Sequence, residues 1–372
     1  MKVFFDHQIF GLQRIGGISR YFTQIIKSMS KEVEVMLPYK QSDNLHLLDI
    51  MPNILPITNI PQKRSFIEQI LNKATKSKKD INENFNISIN SIQKRNFDLF
   101  HPTYYDDYFL EYIQKKPYVV TVHDMIYELY PELFNISDKI YKTKHNIVKN
   151  ATAVIAVSQN TKKDIIELYG ISDKKIHVVY HGNSIETNRE NNDIQKNNYG
   201  SYFLYVGNRY SYKNFYFLVS SIANTLKEKN IKLICSNNKF TPKEIEYFKF
   251  LNIEHLVLNI EANDSTLAKL YKNAIALLFP SLIEGFGMPL IEAFSMGCPV
   301  ICSDIPVFHE VANNAAIYFN PKSAKSINEV VNIILTDKQL RSDLIQKSYQ
   351  REKLFSWNKT SKKTVDVYKS ML

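Results

Sequence analysis

The stretch Pro280-Ser-Leu-Ile-Glu-Gly-Phe-Gly-Met-Pro-Leu-Ile-Glu-Ala-Phe-Ser-Met-Gly-Cys-Pro-Val300 decides the fold. It follows an apolar run at 274–279 that reads as a strand buried on both faces, as parallel strands are. Gly285 and Gly287 flank Phe286 in a loop, and a helical period starts near Met288 or Pro289. Proline suits the first helical turn, where its missing N–H has no intrahelical partner anyway. The order is therefore strand, glycine loop, helix N-terminus. Free backbone N–H groups and the positive end of the helix dipole make such a junction an anion site.

Two carboxylates bracket this junction. Glu284 precedes the glycines and Glu292 lies in the first turns of the helix. Carboxylates accept hydrogen bonds from sugar hydroxyls, and a nucleotide-sugar carries such hydroxyls on both sides of its diphosphate. A second loop, Tyr205-Val-Gly-Asn-Arg-Tyr-Ser-Tyr-Lys-Asn214, follows another apolar run. Gly207 allows close backbone approach. Arg209 and Lys213 bring two cations suited to a diphosphate; the alternative is two surface cations of a Lys-rich chain. Nearer the N-terminus, Gly16 and Gly17 interrupt the passage from a first strand to a first helix, where they meet either a ligand or a neighbouring backbone. His123 and Asp124 follow the apolar run 118–122. Ligands of open α/β sheets sit at strand carboxyl ends, which places His123 for chemistry unless it is an interior histidine.

Working outward, short apolar runs at 3–5, 33–37, 99–100, 118–122, 153–157 and 176–179 alternate with helical periods such as Ile18, Tyr21, Phe22, Ile25, Ile26 and Met29. A second series runs through 202–206, 231–235, 255–258, 274–279, 299–302 and 316–319. Strand–helix alternation predicts α/β architecture with two Rossmann-like doubly wound domains. The first is expected over 1–185 and the second over 200–355, joined by the polar, Asn-rich segment 184–200. A last helical segment, 356–372, carries Val365 and Tyr368 on one side.

The composition agrees with two soluble domains. The chain has 372 residues, 44% of them hydrophobic and 23% charged, which argues against disorder over most of its length. Its net charge of +10 favours anionic partners without choosing between nucleic acid, acidic lipid and phosphate-bearing small molecules. Cys235, Cys298 and Cys302 are too few and too irregularly spaced for a disulfide framework or a metal site, and read as reduced thiols of a cytoplasmic protein. Asp6 and His7 break the N-terminal apolar run before a signal-peptide core forms, and no run approaches the ~20 apolar residues of a membrane span. Residues 62–80 could form a basic amphipathic helix, with Phe66, Ile67, Ile70 and Leu71 on one face. That is either a contact with an anionic membrane surface or an ordinary surface helix.

At these residues the chain resembles glycosyltransferase family 4, retaining enzymes of the GT-B fold. The similarity runs through Gly16-Gly17, His123-Asp124, Arg209 with Lys213, and Glu284 and Glu292, which match the family's E-x₇-E motif. The stretches from Gly207 to Asn214 and from His123 to Glu128 are similar to mannosyltransferase-like members that build bacterial O-antigen and capsule. The resemblance implies two domains facing across a cleft, the first binding the acceptor and the second the nucleotide-sugar, with the C-terminal helix crossing back to the first domain. It implies that Glu284 contacts sugar hydroxyls and that Glu292 binds the ribose. The backbone of Gly285, Phe286, Gly287 and Met288 would hold the diphosphate or sugar. Arg209 and Lys213, with Gly207 beside them, would neutralise the leaving diphosphate. Gly16 and Gly17 would approach the phosphates from the other domain, and His123 would lie beside the transferring sugar. The expected donor is GDP-mannose or a UDP-sugar, with no metal and no other cofactor. The expected acceptor is a saccharide or a lipid-linked oligosaccharide at the inner face of the plasma membrane.

Three other readings stay open. A metal-dependent transferase of the other major fold would need an acidic metal site, for which Asp106-Asp107 is the candidate. A sugar-nucleotide epimerase of similar fold would act without an acceptor. A basic nucleic-acid-binding protein would show steeply salt-dependent binding, but the lysines are scattered rather than interleaved with aromatics.

Overall fold

Each of the twelve apolar runs is a strand in the computed structural model, and every pairing between them is parallel. The structure describes residues 1–54, 76–134, 140–185, 199–209 and 211–372, the side chains of 76–82 excepted. The expected amphipathic face of 62–80 and most of the expected linker lie outside these residues. Two units divide the chain. One comprises Met1–Val157, Thr161–Tyr180 and Trp357–Leu372, and the other Ser158–Asn160 and His181–Ser356.

In the first unit, β1 (Lys2–Phe5), β2 (Glu34–Met36) and β3 (Leu99–His101) form a sheet of order β2-β1-β3. β4 (Val119–Val122), β5 (Ala153–Ala156) and β6 (Ile176–Val178) form a second of order β4-β5-β6. A parallel bridge between Phe100 and Tyr118 links them. The strands are mostly apolar, as buried parallel strands are: Val119–Val122 and Ala153–Ala156 are buried at every position. Helix Gly17–Lys27 turns Tyr21, Phe22 and Ile25 inward, and Ile140–Asn150 turns Ile147 and Val148 inward. Each large apolar side chain so buried contributes about 1.5–3 kcal/mol.

The C-terminal helix, Trp357–Lys369, belongs to this unit, as the resemblance implies. Tyr368 is fully buried, with its hydroxyl 2.5 Å from His101 Nδ1. His101 Nε2 lies 3.0 Å from Thr121 Oγ1. Burial pushes the His101 imidazole down to about 3, so it is neutral at physiological pH. Thr360 Oγ1 donates to Tyr180 O at 2.7 Å, and Lys369 pairs with Glu32 at 2.6 Å.

In the second unit, β7 (Tyr202–Val206), β8 (Lys232–Ser236), β9 (Val257–Ile260), β10 (Leu277–Phe279), β11 (Val300–Ser303) and β12 (Ile317–Phe319) form one sheet of order β12-β11-β10-β7-β8-β9. Its core gathers Phe203, Leu218, Ile222, Leu233, Ile301 and Val331. Cys235, Cys298 and Cys302 are free and buried, and burial holds all three thiols up, Cys298 at about 12. They are packing residues, not nucleophiles. Among the described residues, no helix is long and apolar enough to cross a membrane.

Candidate active site

The second sheet reverses its winding between β10 and β7. From β7 the chain moves outward to β8 and β9; from β10 it moves the opposite way to β11 and β12. Ligands of open parallel sheets bind outside the strand carboxyl ends at such a switch point. The loops leaving these two adjacent strands carry the two strongest sequence signals, and they are stitched together. Leu282 N–H donates to Tyr212 O at 2.8 Å. Lys213 Nζ lies 2.5 Å from Glu284 Oε1, and Ser281 Oγ donates to the same oxygen at 2.7 Å. The two charged side chains are only 19% and 11% exposed, so the pair is weakly screened. An ammonium has three N–H donors, and this bond uses one.

Gly287 caps the helix Met288–Ser295 in the left-handed region, with φ +98°, and Pro289 occupies the first turn. A Cβ on Gly287 would lie 3.0 Å from Phe308 Cε1, 3.2 Å from Leu290 Cδ1 and 3.4 Å from Phe279 Cε1. Glycine is thus required twice, by the backbone angle and by the space. Gly207 also takes a positive φ, +123°, and leaves β7 with its N–H donated to Ser236 O at 3.2 Å. Gly285 O accepts from Ser158 Oγ at 2.7 Å. Phe286 was expected among the donor contacts through its backbone, and its side chain is buried against the His181 and Phe355 rings at 4.9 and 5.8 Å. It anchors the loop, so only its backbone can serve a ligand. Met288 is half-buried at the start of the helix. Glu292 is buried one turn further on, with Tyr271 OH donating to its Oε2 at 2.9 Å.

Arg209 has a carboxylate partner of its own. Its guanidinium forms a bidentate pair with Glu244, the two side chains 7% and 4% exposed, and Nη2 also donates to Asn238 O and Lys239 O at 2.9 and 3.0 Å. It lies over the Phe240 ring at 5.0 Å and the Phe215 ring at 5.8 Å. Nη1 is buried without a hydrogen-bond partner among the described residues. Glu244 closes a capping box with Thr241 at the start of helix Pro242–Phe250. Burial pushes the Glu244 carboxyl up, but the Arg209 guanidinium and the Thr241 N–H and hydroxyl outweigh it and hold the carboxyl low. The Arg209 fork is thus met by a buried carboxylate, which fixes the guanidinium in place and leaves Nη1 as its unpaired edge.

In the first unit, His123 and Asp124 leave the carboxyl end of β4. His123 N–H donates to Tyr105 OH at 3.0 Å, and the His123 ring meets the Tyr21 ring edge-on at 4.9 Å. Gly16 is the N-cap of helix Gly17–Lys27, in an extended conformation open to any residue. A Cβ there would lie 2.2 Å from Gln13 Oε1, the end of a flexible side chain that can move aside, so glycine is not strictly required. That Gln13 oxygen accepts from Ser19 N–H at 3.2 Å, so a side-chain amide occupies the helix end expected to approach phosphate. Asp106 Oδ1 accepts from Tyr108 N–H and Asp107 Oδ2 from Asn146 Nδ2, both at 3.1 Å. Among the described residues, no group of three His, Cys, Asp or Glu side chains is placed to hold a metal.

Sequence reasoning missed Ser281, Tyr271, Glu244 and Gln13. The Thr241-Pro-Lys-Glu244 capping pattern was a readable signal for one of them. Ser281 and Gln13 act on near neighbours, Glu284 and Ser19, without a motif that marks them, and Tyr271 depends on its helix packing beside Glu292.

A model for glycosyl transferases group 1 matches residues 184–351, and one for glycosyltransferase family 4 matches residues 15–187. The O-antigen chain mannosyltransferase RfbU of Salmonella typhimurium is 33% identical over 227 residues, covering 58% of this chain and 60% of that protein. The chain therefore spans less than two thirds of that relative's length. Sucrose-phosphate synthase from Thermosynechococcus elongatus has the same fold at TM-score 0.75 and 16% identity, covering 100% of this chain and 98% of the other. HepE of Anabaena, solved in complex with UDP, reaches TM-score 0.72 at 17% identity, covering 99% of each. With the two models tiling residues 15–351 and the GT-B fold shared with both solved structures, the chain belongs to the glycosyltransferases that join a family 4 domain to a group 1 domain.

Proposed function

We propose that the protein is a retaining, metal-independent glycosyltransferase that moves mannose from GDP-mannose, or a hexose from a UDP-sugar, to a saccharide or lipid-linked acceptor during assembly of a bacterial surface polysaccharide. The observation that carries this reading is the Lys213–Glu284 pair at the switch point, beside the Gly287-capped helix. Bond cleavage at the anomeric carbon leaves an oxocarbenium-like centre and a nucleoside diphosphate. Lys213 and the N-terminus of Met288–Ser295 stabilise the charge growing on that diphosphate. Glu284 accepts from the sugar hydroxyls and Glu292 from the ribose. His123 is assigned to the transferring sugar. The acceptor hydroxyl attacks the same face from which the phosphate departs: the anomeric C–O bond to phosphate breaks, the C–O bond to the acceptor forms, and the hydroxyl proton passes to a phosphate oxygen. No protein nucleophile is needed.

The name of the Salmonella relative supports mannose and an O-antigen chain as product, and UDP in the Anabaena protein supports a nucleotide ligand. Action at the cytoplasmic face of a membrane follows from a lipid-linked acceptor. The test is a thermal-shift and hydrolysis screen with GDP-, UDP-, dTDP- and ADP-sugars, with and without chelator. Stabilisation and slow hydrolysis with GDP-mannose, unchanged by chelator, is expected. Activity abolished by chelator, or product formed by epimerisation without an acceptor, contradicts it.

A further inference from the structure

A buried ion pair in the first unit has no part in the chemistry above. Lys144 and Glu128 are 1% and 2% exposed and lie 2.9 Å apart. Taking two charges out of water costs several kcal/mol per ion, by general estimates, and their mutual attraction often only breaks even. Stability alone does not explain such a pair, so its geometry is the better guide.

Lys144 Nζ also donates to the backbone carbonyl of Asp124 at 2.6 Å, and it sits over the Tyr105 ring, 5.3 Å from its centroid. Tyr105 OH accepts from His123 N–H at 3.0 Å and donates to Thr121 O at 3.2 Å. Tyr169 OH, from helix Gln159–Tyr169, donates to the second oxygen of Glu128. The two peptide groups that bracket the His123–Asp124 dipeptide are thereby fixed from below: the N–H of His123 by Tyr105, the C=O of Asp124 by Lys144. Glu128 and Tyr169 hold Lys144 in turn. Burial keeps the Tyr105 and Tyr169 hydroxyls protonated, and the nearby Asp124 and Glu128 carboxylates add to this.

We propose that Lys144, with Glu128, Tyr105 and Tyr169, is a positioning device that fixes the loop after β4 and so sets the His123 ring for sugar transfer. This rests on the role assigned to His123 above. A loop leaving a strand has no ladder to hold it, and a placement error of about 1 Å at a reacting group can cost about a hundredfold in rate. Two backbone anchors on either side of one side chain limit that error.

The test uses the full chain carrying Lys144→Met with Glu128→Gln. This pair removes both charges at similar volume and leaves Tyr169 an acceptor. The measurements are kcat and KM for donor, the thermal midpoint, and amide hydrogen exchange of the segment containing His123. A kcat about 10- to 100-fold lower, with donor KM and midpoint close to wild type and faster exchange at the His123 amide, is expected. Unchanged kcat in the folded variant, or a loss confined to the midpoint, overturns the proposal. If the double variant does not fold, Tyr105→Phe, which removes the acceptor for His123 N–H together with the bond to Thr121 O, is judged by the same criteria. Wild-type protein that transfers no sugar would remove the functional reading instead, and the exchange measurement would still show whether the network holds the loop.

Discussion

Lys213 Nζ stands 2.5 Å from Glu284 Oε1 although 71 residues separate them, because β7 and β10 are neighbours whose connections leave in opposite directions. A cation for the leaving group and a carboxylate for sugar hydroxyls are thus placed side by side by sheet order alone. Ser281 keeps a hydrogen bond on Glu284 when the lysine is lost.

Lys213→Ala is accordingly expected to fold. Its kcat falls about 10²- to 10³-fold, the usual loss when one preorganised donor to developing negative charge is removed. Steady-state kinetics with a thermal melt checks this; wild-type turnover in a folded variant contradicts the assigned role.

Arg209→Ala should behave differently. It strips the guanidinium from a Glu244 carboxylate that is buried at the start of helix Pro242–Phe250, so it costs about 3 kcal/mol of stability in the second unit. Denaturant unfolding of the variant measures the loss. A variant as stable as wild type but inactive would return Arg209 to the diphosphate.

Gly287→Ala should be damaging out of proportion to one methyl group. The residue must take φ +98° with its Cβ 3.0 Å from Phe308, a strain of about 1–3 kcal/mol. The helix end moves to relieve it, so donor KM rises along with the loss of stability. Equal donor affinity in wild type and variant would separate this helix end from the donor.

Acidification should weaken both units. Burial lowers His101 in the first unit and His181 in the second to about 3. Below pH 6.5 the unfolded chain takes up protons that the folded imidazoles refuse. Stability is therefore complete above that pH and falls continuously as pH drops toward 3. Each histidine withdraws about 2 kcal/mol by pH 5. Thermal melts between pH 7.5 and 5 test this, and His181→Phe should flatten the fall for the second unit. An unchanged slope would show that His181 titrates normally in the folded state.

How far the sequence carried the structure depended on distance along the chain. The strands were legible because a strand covered on both faces is apolar at most positions, and Ala153–Ala156 at all of them. The loop at Gly285 and Gly287 was legible because strand, glycines and helix N-terminus follow one another locally. The partner of Arg209 was not. Seeing Glu244 as its partner requires knowing that β7 and β8 are adjacent and that helix Pro242–Phe250 starts beside them. The packing of the Phe286 ring was not legible for a similar reason: its neighbours His181 and Phe355 are far away in sequence, and nothing local marks the ring as buried. Lys144 gave no signal at all, being one lysine in a lysine-rich chain whose burial appears only when helix Ile140–Asn150 packs on its sheet.

The most direct test of the central claim is to titrate GDP and guanosine separately into wild type and Lys213→Ala by calorimetry, substituting UDP and uridine if the donor screen selects that base. If Lys213 meets the leaving diphosphate, the variant binds the nucleoside diphosphate at least about tenfold more weakly, a loss in the range of one charge-assisted hydrogen bond, while the nucleoside binds both proteins alike. Equal affinity of the two proteins for the nucleoside diphosphate would contradict the account.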